Sequence, residues 1–335
     1  MKAFVCGCAG PALADAERAF LAETRPWGLI LFRRNVESPG QLRALAAAFR
    51  TAVGRPDAPV LVDQEGGRVQ RLTEPHWRRY PAASRFGALY RSEPDLARRM
   101  ARIGGELLAR DLSDCGLTVA CAPVLDVPAP GSSDVIGDRA FGPDPETVAA
   151  LARPFAEGLM AGGVLPVMKH IPGHGRAEVD SHLDLPVVSA DRAALARDAA
   201  PFRALVDLPM AMTAHIVYRA LDPDRPATTS RTVIDEVVRG EIGFDGLLLS
   251  DDLSMEALRG TLGERAAAAS AAGCDILLHC NGKMDEARAV AAAAPSLSGR
   301  AAERAAAALA RRVAPPPRDL AADRSAFDAA MAAIG

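Results

Sequence analysis

The sequence predicts a (β/α)8 barrel, in which eight parallel strands close into a core and the intervening helices form an outer layer. About eight short apolar runs alternate with longer amphipathic segments along the 335 residues. The runs are almost continuously hydrophobic, as expected for parallel strands covered on both faces. The chain is longer than the ~250 residues typical of such a barrel, and long loops account for the excess. No linker is visible, so we expect one domain over residues 1–335.

The strands are predicted where short apolar runs end in Gly, Pro or polar residues. The first run, "AFVCGC", also resembles the apolar part of a signal peptide. Gly7, Gly10 and Pro11 interrupt it, which favours a buried strand and leaves no export signal. The predicted strands are residues 3–8, 27–32, 59–64, 117–127, 164–170, 208–215, 246–252 and 275–280.

The helices are predicted from amphipathic spacing and from start signals. The clearest case is "SPGQLRALAAAFRTAV", where Ser38 is suited to the N-cap and Pro39 to the first helical position. An Ala- and Arg-rich segment after the eighth strand predicts one extra C-terminal helix. The predicted helices are residues 38–53, 94–112, 144–161, 190–206, 230–242, 264–273, 283–294 and 299–313.

Composition excludes several classes of function. A net charge of −3 and a pI near 6.1 give no general attraction for nucleic acid or an anionic membrane. No run approaches the ~20 apolar residues of a membrane span. The six cysteines lie mostly in apolar runs, where a buried free thiol is the ordinary occupant. We therefore expect a cytoplasmic protein, acting as a monomer on a small molecule.

Polar residues follow five of the predicted strands. They are Asp63, Asp126, Lys169 with His170, His215, and Asp251 with Asp252. One strand that ends in a polar residue means little, because any strand leaving a core does so. In a (β/α)8 barrel, however, the carboxyl ends of all strands meet at the active-site mouth. Five such ends therefore predict a site there.

The loop after the fifth strand reads "KHIPGHGRAEVDSHLDLP" over residues 169–186. Its glycines allow backbone conformations in which the segment covers the barrel mouth. Asp180 lies two residues before His182, close enough for the carboxylate to orient an imidazole as an acid/base dyad. Local turn hydrogen bonds, which Asp commonly makes, are an equally good interpretation of this pair taken alone.

Five motifs together resemble one enzyme family. They are "DQEGGRVQRL", "GDRAFG", "KHIPGHG", "DSH" and "LLSDDLSM", and they follow one another in family order. The chain resembles the family 3 glycoside hydrolases, and most of all the short bacterial β-N-acetylglucosaminidases of cell-wall recycling. The family fold is a (β/α)8 barrel. Ile171 departs from the pattern, since the short enzymes often have Phe there, and we expect this to affect packing only.

The resemblance implies a role for each matching residue. Asp251 matches the nucleophile that forms a covalent glycosyl-enzyme, and Asp252 is the neighbour that does not. His182 matches the acid/base, with Asp180 as its partner. The positions that match sugar-binding residues are Asp63, Arg71, Arg139, Lys169 and His170.

The implied reaction is retaining removal of terminal β-linked N-acetylglucosamine from muropeptides. An example is N-acetylglucosaminyl-1,6-anhydro-N-acetylmuramic acid, with or without peptide, and no cofactor is expected. A metal-dependent hydrolase using His170, His174 and His182 is a rival, although no standard zinc spacing is present and Lys169 would place a cation near the metal. A non-catalytic sugar-binding barrel is a second rival.

Overall fold

The computed structural model describes residues 1–179, 181 and 184–334. Eight parallel strands close into a barrel in chain order, and the first pairs with the last through Phe4 with Leu277 and Val5 with Leu278. The fold is therefore the predicted (β/α)8 barrel. The strands are β1 (Lys2–Gly7), β2 (Pro26–Leu31), β3 (Val60–Val62), β4 (Val119–Ala120), β5 (Leu165–Ile171), β6 (Met210–Thr213), β7 (Leu247–Asp252) and β8 (Ile276–His279).

Side-chain alternation along the strands separates two apolar clusters. In β5, Leu165 and Val167 belong to the cluster inside the barrel, whereas Met168 packs in the larger cluster between strands and helices. In β7, Leu247 and Leu249 likewise lie inside. Because the side-chain period of a strand is two, the same alternation directs polar residues at the strand ends into the barrel mouth.

The outer layer contains most of the predicted helices. Ser38 caps the helix Pro39–Val53 by accepting from the backbone of Gln41 at 3.2 Å, and Gly54 ends it with a φ of 66°. The helices along the chain are Asp15–Thr24, Pro39–Val53, Ala83–Ser92, Pro94–Ser113, Pro145–Ala161, Arg192–Asp198, Ala200–Ala204, Val233–Glu241, Leu262–Ala272, Met284–Ala293, Gly299–Ala310 and Ala321–Ala332.

Several predicted boundaries were wrong. The predicted helix 190–206 is two short helices, and Pro201 lies at the start of the second, where its missing N–H breaks the hydrogen-bond ladder. The predicted strand 117–127 shortens to two residues before Pro123, for the same reason. The helices Asp15–Thr24 and Ala83–Ser92 were not predicted.

The C-terminal region contains two helices where the sequence predicted one. Ala305 and Ala308 of Gly299–Ala310 pack in the interior cluster with Trp27 and Leu247, which lie near the strand starts, so this helix covers the lower end of the barrel. Phe327 of Ala321–Ala332 is 1% exposed and lies 6.1 Å from the ring of Phe86. Within the described ranges, none of the helices combines the length and apolar character needed to cross a membrane.

Candidate active site

Lys169 lies at the centre of a charged network in the barrel mouth. It follows Val167 by two residues on β5, so its side chain points into the barrel, where it is 4% exposed. Its Nζ lies 3.0 Å from Asp63 Oδ1 and 2.7 Å from Glu65 Oε1. Burial lowers the pKa of Lys169, but the two carboxylates outweigh it, and the net pKa is raised well above its usual range. The ammonium is therefore charged at any physiological pH.

Two arginines complete this network from outside β5. Arg139 makes a bidentate pair with Glu65 at 2.8 and 2.9 Å, and Arg71 Nη2 lies 3.0 Å from Asp63 Oδ2. Burial raises the pKa of Asp63 and Glu65, but the neighbouring cations lower it by a larger amount. Both carboxyls therefore remain ionised. Three cations surround two anions, which leaves a surplus positive charge beside the cavity.

Asp251 faces the same cavity from the end of β7. Its Oδ1 accepts from the backbone N–H of Asp252 at 2.8 Å, and its own N–H donates to Thr213 Oγ1 at 3.3 Å. Among the described residues, no side chain donates a hydrogen bond to the Asp251 carboxylate. Burial raises its pKa, whereas His215 and His170 lower it by a larger amount, so the carboxylate is ionised and available.

The Asp252 carboxylate, unlike that of Asp251, accepts hydrogen bonds from described residues on both oxygens. Its Oδ1 accepts from the backbone N–H groups of Ser254 and Cys280 at 3.0 and 3.1 Å, and its Oδ2 accepts from the Ser254 hydroxyl at 2.7 Å. Both carboxylate oxygens therefore hold the turn after β7 and the end of β8. Both aspartates line the cavity, but Asp252 uses its oxygens to fix the backbone, whereas Asp251 receives no side-chain donor from the described residues.

Asp126 joins two further histidines to the site. The carboxylate is fully buried and lies 2.6 Å from His170 Nδ1, and it also accepts from the backbone N–H groups of His170 and His174 at 3.2 and 2.6 Å. Burial raises its pKa, but His170 and the backbone donors outweigh it and lower the pKa to about 2. An ionised carboxylate only accepts hydrogen bonds, so His170 holds its proton on Nδ1 and presents Nε2 to the cavity.

His174 is held neutral beside this pair. Its ring lies 5.3 Å from that of His170, and Nε2 lies 3.2 Å from the Ser181 hydroxyl. Burial and the nearby His170 lower its pKa to about 4. His174 therefore contributes a neutral polar surface to the cavity at physiological pH.

His215 follows β6, as predicted, but does not line this cavity. The side chain is fully buried, with Nδ1 2.7 Å from Thr228 Oγ1 and Nε2 2.9 Å from the Asp252 carbonyl. It therefore fixes the backbone beneath Asp251.

The structure brings the predicted site residues from distant parts of the chain into one cavity of about 140 Å³. Asp63, Arg71, Arg139, Lys169, His170 and Asp251 all line it. Asp180 and His182 lie outside the described residues, although Ser181, between them in sequence, lines the cavity and is 2% exposed.

Glu65 and His174 also line the cavity. Glu65 was not predicted from the sequence, and His174 was predicted only as a ligand of the rival metal-dependent hydrolase. The signal for Glu65 was its position two residues after Asp63, because alternate residues of an extended segment share a face. No sequence pattern indicated a sugar-facing role for His174. Within residues 1–179, 181 and 184–334, no group of three or more His, Cys, Asp or Glu side chains is arranged to hold a metal ion.

Comparison with known proteins identifies relatives over nearly the whole chain. Residues 5–315 match the family described as "Glycosyl hydrolase family 3 N terminal domain". A β-hexosaminidase from Alkalilimnicola ehrlichii is 48% identical over 280 residues, which cover 82% of this chain and 79% of that protein. A β-hexosaminidase from Bordetella avium is 42% identical over 278 residues, which cover 82% of this chain and 79% of that protein.

Solved structures share the same architecture. NagZ from Neisseria gonorrhoeae superimposes with a TM-score of 0.86 at 34% identity, covering 99% of this chain and 96% of that one. A family 3 β-N-acetylglucosaminidase from Paenibacillus sp. str. FPU-7 superimposes with a TM-score of 0.87 at 30% identity. This chain aligns over 98% of its own length and 66% of that longer protein.

Proposed function

The chain belongs to glycosyl hydrolase family 3 and is a β-hexosaminidase, and from that premise we propose that it cleaves terminal β-linked N-acetylglucosamine with retention of configuration. Asp251 is the nucleophile in this proposal. The observation that carries it is the contrast between two adjacent carboxylates. Asp251 is ionised, faces the cavity and receives no side-chain donor from the described residues, whereas both oxygens of Asp252 are engaged.

The first step forms a bond between an Asp251 oxygen and the anomeric carbon, while the bond from that carbon to the leaving oxygen breaks. The leaving oxygen takes a proton from His182. In the second step, water attacks the anomeric carbon, His182 accepts a proton from that water, and the Asp251 carboxylate is released. His182 must therefore titrate near neutral pH, and Asp180 is its orienting partner.

The placement of Ser181 supports this assignment of the acid/base. Asp180 and His182 flank a residue whose hydroxyl contacts His174 and which lines the cavity. We therefore assign the proton donor to this loop, whose described residue Ser181 already belongs to the cavity lining.

The charged network is proposed to bind the sugar hydroxyls and acetamido group. Asp63 offers carboxylate acceptors, while Lys169, Arg71 and Arg139 offer donors that remain charged. His170 presents Nε2 to the sugar, because Asp126 engages Nδ1. The gonococcal NagZ has been solved in complex with N-trifluoroacetyl-D-glucosamine, which supports an N-acylated glucosamine as the bound sugar.

The proposed substrate is a muropeptide such as N-acetylglucosaminyl-1,6-anhydro-N-acetylmuramic acid, with or without peptide. We assign this role to a single catalytic domain over residues 1–335, acting as a cytoplasmic monomer without a cofactor. The six cysteines support a reducing compartment, because all are buried free thiols.

Proton NMR during hydrolysis of an aryl β-N-acetylglucosaminide tests the reaction. The first sugar released is expected to be the β-anomer, because two inversions at the anomeric carbon restore its configuration. First release of the α-anomer would contradict a covalent intermediate. Binding without any release would favour the sugar-binding barrel, and activity lost with a chelator would favour the metal-dependent rival.

A further inference from the structure

A wide groove lies next to the candidate active site on the outside of the barrel mouth. The segment after β7 separates the two: Met255 lines the active-site cavity, whereas Leu258, three residues later, lines the groove. The opposite wall comes from residues 217–231, and the volume is about 1170 Å³. A space of this size accommodates a ligand larger than one sugar.

Three arginines along this groove carry uncompensated charge. Arg219, Arg225 and Arg259 are exposed and have neither an ion pair nor a side-chain hydrogen bond with any residue that the structure describes. Elsewhere in the protein, arginines commonly pair with carboxylates, as Arg153 does with Asp207 at 2.7 Å. Three guanidinium groups without an internal partner among the described residues, two on the wall of residues 217–231 and one on the wall after β7, indicate a site for an anion.

The other charged residues of the groove do not neutralise these arginines. Arg265 donates to the carbonyls of Leu253 and Met255 at 3.0 and 2.9 Å, and Arg231 lies 3.5 Å from Asp235, so both have internal partners. Glu264 accepts from the backbone N–H and hydroxyl of Thr261 at 2.8 and 2.9 Å. Asp224 is the remaining lining carboxylate, which leaves a positive surplus.

The groove also has an apolar wall. Val187 is 42% exposed, unusually open for a large aliphatic side chain, and Val217 lies beside it in a two-stranded parallel pair. Leu258 and Ala257 form the adjoining surface. Small apolar side chains pack on such a surface while neighbouring carboxylates meet the arginines. This combination suits a short acidic peptide better than an inorganic anion.

We propose that this groove binds the carboxylates of the peptide carried by the leaving-group sugar of the substrate. This inference rests on the proposed function, because a muropeptide cleaved at Asp251 carries its peptide on the leaving side. Arg219, Arg225 and Arg259 are then specificity-determining residues that contact the peptide and take no part in bond cleavage.

The test compares three forms of the disaccharide: one without peptide, one with an acidic peptide, and one whose peptide carboxylates are amidated. The combined variant Arg219→Ala, Arg225→Ala and Arg259→Ala is expected to lose about tenfold in kcat/KM on the acidic form. A loss of this size is what three exposed charge pairs can contribute together. Its kcat/KM on the other two forms is expected to equal that of the wild type. Added salt should weaken the wild-type preference, since exposed charges are screened.

A matched control is the combined variant Arg18→Ala, Arg91→Ala and Arg99→Ala, which removes three exposed arginines outside the groove and should change none of the ratios. Equal losses on all three forms, or no loss on the acidic form, would overturn the inference while leaving the proposed function intact. Failure of the wild-type protein to cleave even the peptide-free disaccharide would overturn both.

Discussion

At the scale of single residues, the two adjacent aspartates after Ser250 give the sharpest contrast. Asp251→Ala should abolish turnover by several orders of magnitude, each factor of ten being about 1.4 kcal/mol of barrier. Asp252→Ala should retain more activity but unfold at lower denaturant concentration, because it leaves the N–H groups of Ser254 and Cys280 unpaired, at about 1–3 kcal/mol each. Steady-state kinetics and urea titration of both variants measure this. If folded Asp252→Ala were the less active protein, the two roles would be reversed.

The acid/base dyad predicts a dependence on the leaving group. His182→Ala should cost more on a disaccharide than on a nitrophenyl glycoside, because an aryl oxide departs without protonation. The margin should approach the ~10²- to 10⁴-fold contribution of a general acid. Asp180→Ala should show the same trend in weaker form.

His174→Ala is the control for this comparison, since His174 holds no exchangeable charge near neutral pH. It should lower activity on both substrates by the same factor. A His182→Ala variant that lost equally on both substrates would show that His182 holds the loop or the sugar, and the proton donor would lie elsewhere.

At the scale of elements, Asp126 connects the segment after β4 with the end of β5 and the start of the following loop. Its carboxylate has a pKa of about 2 in the folded protein, against about 3.9 in an unfolded chain. Because the pKa is lower in the folded protein, the ionised Asp126 stabilises the folded state, and this stabilisation is fully present above about pH 4. It is lost as the pH falls from about 4 through about 2, and it amounts to about 2–3 kcal/mol.

Asp126→Asn tests this connection. The variant should be less stable than the wild type at pH 7. The wild type should lose stability between about pH 4 and 2 as Asp126 takes up a proton, and the variant should lack that loss, as measured by urea unfolding at each pH. It should also lower kcat/KM at pH 7, because the amide no longer fixes the proton of His170 on Nδ1. An unchanged pH slope would mean that Asp126 does not stabilise this junction.

The sequence predicted those parts of the site that depend on strand ends. Asp63, Lys169 and Asp251 follow apolar runs, and barrel geometry alone brings such residues together. Arg71 and Arg139 were predicted only through the family motifs. For Asp180 and His182, the spacing alone left the dyad and local turn hydrogen bonds equally good, because loop geometry does not follow from local composition. The division of labour between Asp251 and Asp252 depends on backbone donors that fold in from Ser254 and Cys280, which no local pattern reveals.

At the scale of the whole molecule, the additional C-terminal helix that the sequence did not predict contributes to the shared core. Phe327 is 1% exposed and packs against Phe86, which itself contacts Phe141 and Phe155. The segment 321–332 gave only a weak apolar pattern, so its docking is decided by tertiary packing.

Phe327→Ala should therefore destabilise the protein by about 3–5 kcal/mol, the usual cost of emptying an aromatic site in a core. The kcat of the protein that remains folded should not change, because Phe327 lies in the outer cluster and does not line the catalytic cavity. Urea titration and kinetics at low temperature separate the two effects. A stability close to that of the wild type would show that the helix Ala321–Ala332 is not docked in solution.

The central claim, that Asp251 forms a covalent glycosyl-enzyme, is tested most directly by trapping that intermediate. A fluorosugar with an activated leaving group reacts with the nucleophile but is released slowly, so the label remains on the protein for digestion and mass spectrometry. We expect the label on Asp251, and none on Asp251→Ala treated in the same way. A label on Asp252, or elsewhere in the chain, would contradict the account.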